Sequence, residues 1–108
     1  MNWHKIMTFK ELKFRDISET HGEDAKQALV GFENGYDVSV VRHGFSHGSE
    51  KGLYEIGVFD TNDRMCDPLG WGDDVKGWLT PEGVEAELKL IEKLKKKIDK
   101  RTELDYTL

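Results

Sequence analysis

Apolar and polar residues alternate along the middle of this chain and then change period towards its end. Tyr36, Val38 and Val40 interleave with Asp37, Ser39 and Val41, the two-residue repeat of a strand with one buried face. Leu53, Glu55, Gly57 and Phe59 alternate in the same way with Tyr54, Ile56 and Val58. Beyond Thr80 the spacing lengthens. Val84, Leu88, Ile91, Leu94 and Ile98 follow a helical stripe. Thr80 suits an N-cap, Pro81 suits the first helical position, and the glutamates at 82, 85 and 87 precede lysines at 93, 95, 96, 97 and 100. That order of charge matches the helix dipole.

Turn chemistry divides these elements. Asn34-Gly35 lies between the apolar runs 26–32 and 36–42, the preferred pair for a two-residue hairpin whose central residues both take positive φ. Residues 44–51, rich in Gly and Ser, read as the connection of a long hairpin. Thr61-Asn62-Asp63 marks a further turn before a short strand at Arg64-Met65-Cys66. Residues 8–17 read as a short helix or turn running into an extended segment, and Thr8 with Glu11 resembles a capping box. Residues 18–24 read as a polar loop.

The expected fold is one α+β domain. Three to four antiparallel strands, in hairpins, pack against one long C-terminal amphipathic helix. Its parts are a mixed N-terminal segment (1–24), strands (25–66), a loop (67–79), the helix (80–101) and a tail (102–108).

Composition sharpens this picture. A chain of 108 residues with 37% apolar content is of single-domain size. The lone Cys66 allows no internal disulfide, which favours a reducing compartment. No apolar run approaches a membrane span, and residues 1–14 lack the apolar core of a signal peptide. The net charge of −5 is unevenly spread. Residues 16–74 carry 13 acidic and 4 basic side chains, and the remainder carries 8 acidic and 12 basic. The acidic body disfavours nucleic acid and leaves a basic partner open.

Candidate chemistry is sparse. His43 and His47 are four apart, but Gly-Phe-Ser separates them and tight-spaced cysteines are absent, so no metal site and no cofactor is expected. The calcium-loop resemblance at Asp60-Thr61-Asn62-Asp63 lacks the glycine and glutamate that such a loop requires, and a turn with Asx hydrogen bonds explains it more simply. Cys66 has no local activating base. The expected contact residues are therefore Arg42, His43, His47 and Tyr54 around one loop, and Trp71, Asp73 and Asp74 before the helix. Tryptophan beside acidic residues serves equally as an interface anchor or as a core plug.

Three tracts occur together in order: Phe32-x-Asn34-Gly35-Tyr36-x-Val38-Ser39-Val40-Val41-Arg42; Ser46-x-Gly48 ahead of Gly52-Leu53-Tyr54-Glu55-x-x-Val58; and Asp73-Asp74-Val75-x-Gly77-Trp78-Leu79-Thr80. Across roughly residues 28–95 this resembles a family of small uncharacterised proteins encoded by tailed bacteriophages. The chain departs from that pattern at His47-Gly48-Ser49 and over residues 67–71. The resemblance implies a phage origin and the host bacterial cytoplasm, with no catalytic residues to carry over. The expected function is non-enzymatic binding of a host protein. A homo-oligomeric structural or packaging module, and a small metal-binding protein or enzyme using His43 and His47, are the alternatives.

Overall fold

The computed structural model describes residues 8–42 and 53–94. His43, His47, the loop at 44–51, the last turns of the expected helix and the tail lie outside the described residues.

Six strands form one antiparallel sheet: β1 (Arg15–Asp16), β2 (Lys26–Gly31), β3 (Asp37–Arg42), β4 (Tyr54–Phe59), β5 (Met65–Cys66) and β6 (Val75–Leu79). They run side by side in chain order from β1 to β4. The far edge of β4 is then shared. β5 pairs with its last two residues, and β6 pairs with Tyr54, Ile56 and Gly57. A one-turn helix, α1 (Ser18–His21), links β1 to β2, and α2 (Pro81–Glu92) follows β6.

The α+β class and the antiparallel sheet with a C-terminal helix are as expected, with three corrections. The sheet has six strands rather than three to four. Residues 18–24 include one helical turn, begun where Asp16 Oδ1 accepts the Ser18 N–H (2.8 Å). Residues 67–79 are not all loop, because β6 occupies their second half. β6 escapes the alternation test because it carries a bulge between Lys76 and Leu79, opposite the step from Ile56 to Tyr54. The extra residue breaks the two-residue repeat.

α2 begins as the sequence predicts. Thr80 Oγ1 accepts the Gly83 N–H (3.1 Å) and Pro81 occupies the first turn. Val84, Leu88 and Ile91 are buried against Ala28, Val30, Val38, Val40, Ile56 and Val58 on the inner face of the sheet. Glu87 is buried too, and pairs with Lys76 of β6. The N-terminal segment packs alongside. The Phe9 N–H donates to Glu85 Oε1 (2.8 Å), and Phe9, Phe14 and Tyr54 form a ring cluster with centroids 5.1–5.6 Å apart.

α2 runs to Glu92, and residues 95–101 of the expected helix lie outside the described residues. Its end is met by the β2–β3 hairpin. Asn34 Nδ2 lies 2.7 Å from the Ile91 carbonyl oxygen, 3.3 Å from that of Glu92 and 3.1 Å from that of Leu94. Two amide hydrogens thus serve three carbonyls at the end of the helix, of which that of Ile91 also accepts the Leu94 N–H (3.1 Å). The opposite end of the same side chain, Oδ1, accepts the Tyr36 N–H (3.1 Å). This alters the hairpin. Its loop has three residues, closed by Phe32 N–H to Tyr36 O (2.9 Å), and Gly35 alone has positive φ (94°).

Asn34→Ala removes the side-chain donor to the Ile91, Glu92 and Leu94 carbonyls and the acceptor for the Tyr36 N–H, and should lower stability by about 2 kcal/mol, a fall of roughly 10 °C in thermal midpoint. Asn34→Asp should lower it further, because a carboxylate would face the negative end of the helix. Thermal melts of both variants at pH 7 and pH 3 check this. The gap between them should close at pH 3, where the protonated acid can donate.

Candidate functional site

Among the described residues α2 covers one face of the sheet. Side chains on the other face follow from the register: Gln27, Leu29 and Gly31 on β2; Asp37, Ser39 and Val41 on β3; Glu55, Gly57 and Phe59 on β4. Met65 and Val75 close over Gly57, where an added Cβ would lie 3.0 Å from Met65 Cε and 3.6 Å from Val75 Cγ1. Leu29 is 62% exposed, Met65 43% and Trp78 54%. Large apolar side chains of three strands thus meet solvent on one side of the sheet.

Trp78 is the most unusual of them. Its φ of 61° lies in the left-handed region, where a bulky residue is a genuine outlier. Asp24 and Asp63 also have positive φ, but short polar side chains tolerate it. The register sets Gly77 and Trp78 together opposite Glu55, an outer-face position. A bulge normally relieves such a conformation with glycine; here the glycine is at 77 and the tryptophan takes the strained site.

The outer face holds an open hollow of about 480 Å³, walled by Leu29, Gly31 and Phe59, with Asp37 and Asp63 at its rim. Partial burial, and then the charge of Asp63, hold the Asp37 carboxyl above its ordinary range. The strand cations lie elsewhere. Lys26 Nζ sits 4.9 Å from the Phe14 ring centroid, and the Arg42 guanidinium carbon 5.7 Å from that of Tyr54. Lys76 turns to Glu87. All three serve the inner side. At the outer rim, Arg15 of β1 donates to Gln27 Oε1 (2.8 Å), and Arg64 is exposed in the β4–β5 turn.

The residues expected to make contacts divide into groups. Arg42 and Tyr54 do come together, but Tyr54 is buried in the aromatic cluster and its ring packs the core. Trp71 packs against the core, and its buried Nε1 has no hydrogen-bond partner among the described residues. The sequence's balance between anchor and plug is thus resolved towards the plug for Trp71. Asp73 and Asp74 are exposed beside it. Leu29, Asp37 and Met65 were missed; Trp78, one of the tryptophans flanking the acidic pair, is the exposed one. The signal of the first three exists only in the register, which sets them on the outer side of the sheet.

Two other carboxylates are bound to their own turns. Asp60 Oδ1 accepts the N–H groups of Asn62 (2.8 Å) and Arg64 (3.1 Å), the Asx turn expected there. Asp67 accepts those of Trp71 (2.6 Å) and Gly72 (2.8 Å), which hold its carboxyl below the usual range. Among the described residues, no three His, Cys, Asp or Glu side chains gather in a way that could hold a metal ion. No helix among them is long and apolar enough to cross a membrane.

Comparison with protein families, with curated proteins and with solved structures gave no match for this chain.

Two tests follow. Trp78→Gly releases left-handed strain at an exposed position, so stability should stay level or rise by about 1 kcal/mol. Chemical denaturation reads this, and a loss of that size would make Trp78 a folding residue. For Asp37 the folded-state value is raised, so its ionised form opposes folding: stability present at low pH is lost as pH climbs through the ordinary carboxylate range towards the raised value. Asp37→Asn should therefore be the more stable protein at pH 7 and equal to the parent near pH 3.

Proposed function

We propose that this chain is a non-catalytic binding module that engages a host protein through the outer face of its sheet. In the reading drawn from the sequence resemblance, it is a bacteriophage accessory protein acting in the host cytoplasm. The observation that carries the binding reading is Trp78, a large apolar side chain kept exposed and left-handed. A backbone outlier at an exposed bulky residue points to function. Tryptophan is also among the residues that dominate binding energy at interfaces.

Two further features support the reading. Leu29, Phe59 and Met65 lie on the paired strands of one sheet, a rigid platform that loses little entropy on binding. The hydrogen bonds of Asp60 and Asp67 go to their own turns, so these acids act as scaffold rather than as catalytic groups.

A photo-crosslinking phenylalanine at Leu29 or Met65, introduced during infection or expression in the bacterial host, should yield one discrete adduct. The same group at Leu90, exposed on the solvent side of α2, should not. Equal labelling from all three positions, or none from the sheet, would remove the proposal.

A further inference from the structure

From the distribution of charge across the sheet, we infer that the outer-face groove takes a protein segment combining apolar side chains with lysine or arginine. This rests on the binding reading above and names the chemistry of the partner. The four basic residues of the acidic body are Lys26, Arg42, Lys51 and Arg64. Lys26 and Arg42 are drawn to the inner side by aromatic rings, and Lys76 by Glu87. Lys51 lies outside the described residues. Among the described residues the outer side keeps Asp37 and Asp63 at the hollow and Glu55 opposite the bulge. Against these, the described residues set Arg15 on the same face and Arg64 in the adjoining turn.

The groove matches a long cationic side chain in shape as well as charge. Leu29, Gly31 and Phe59 offer an apolar wall to a lysine or arginine stem, and Asp37 with Asp63 offers two carboxylates to its head. The like-charge repulsion between those carboxylates is relieved when a cation joins them. A second copy presenting the same face would instead bring acid against acid, which charge complementarity disfavours.

Three peptides of equal length serve as probes: leucine with lysine, leucine with glutamate, and glycine with lysine. Amide chemical shifts of the full chain locate their binding. The leucine–lysine peptide should move the amides of Leu29, Gly31, Phe59 and Asp63, and should bind about tenfold more weakly to Asp37→Asn/Asp63→Asn. The leucine–glutamate peptide should not bind, and the glycine–lysine peptide should bind far more weakly. Asparagine tolerates the left-handed conformation of Asp63, so the double variant keeps its turn. Equal binding of both leucine peptides, or of both lysine peptides, would overturn the inference, as would no binding at all. Groove amides that shift on dilution without peptide would assign the groove to a second copy. Groove amides that shift with salt at all concentrations, together with residues 95–101, would assign it to the chain's own basic segment. Either result would also overturn it. Failure here with a discrete crosslink from Leu29 leaves the binding module standing and removes only the cationic partner; failure of both removes the module.

Discussion

One asparagine side chain holds the two layers in register. Asn34 reaches from the tip of the β2–β3 hairpin to the last carbonyls of α2, and with its other end closes its own turn at Tyr36. The N-terminal end of the helix is set by Thr80 and joined to the sheet through β6. With both ends fixed, α2 lies across the inner face, and Val84, Leu88 and Ile91 have one place to go. The 12 residues of α2 are thereby committed to one side of a six-stranded sheet. The opposite face is the one on which Leu29 and Met65 meet solvent.

The inner side collects what a core needs. Valines and Ile56 meet the helix, and the cationic ends of Lys26, Arg42 and Lys76 are drawn towards rings or the buried Glu87. Each of these contacts gives a charged side chain a partner. The outer side receives the remainder, namely apolar side chains at wide exposure and acids with fewer cations nearby. Trp78 marks the same division, since the bulge that lets Leu79 face inward against Tyr54 puts Trp78 opposite Glu55 in a strained backbone.

Much of the fold was legible because local chemistry set it. Thr80-Pro81 starts the helix, the alternation of β3 and β4 assigns their faces, and Asp60 builds its Asx turn. Asn34-Gly35 marked the right turn for an incomplete reason: Gly35 supplies the positive φ, while Asn34 is used for a helix 57 residues away in the chain. No local pattern encodes that contact. The same limit hid β6, whose bulge erases the two-residue repeat, and the short edge strand β1, which two residues cannot announce. The candidate site was less legible still. Trp71 and Trp78 look alike in sequence, and only the sheet register separates the packed one from the exposed one. The acidic body was visible as a block, but its sorting onto one face depends on which rings lie beneath Lys26 and Arg42.

The central claim is that the outer face of the sheet is open in the free protein while the inner face is sealed by α2. Methyl relaxation in the presence of a soluble paramagnetic agent measures this directly. The account predicts strong enhancement at Leu29 and Met65, with little at Val38, Ile56, Val84, Leu88 and Ile91. Protection of Leu29 and Met65 equal to that of the core methyls, in a dilute monomeric sample, would contradict it.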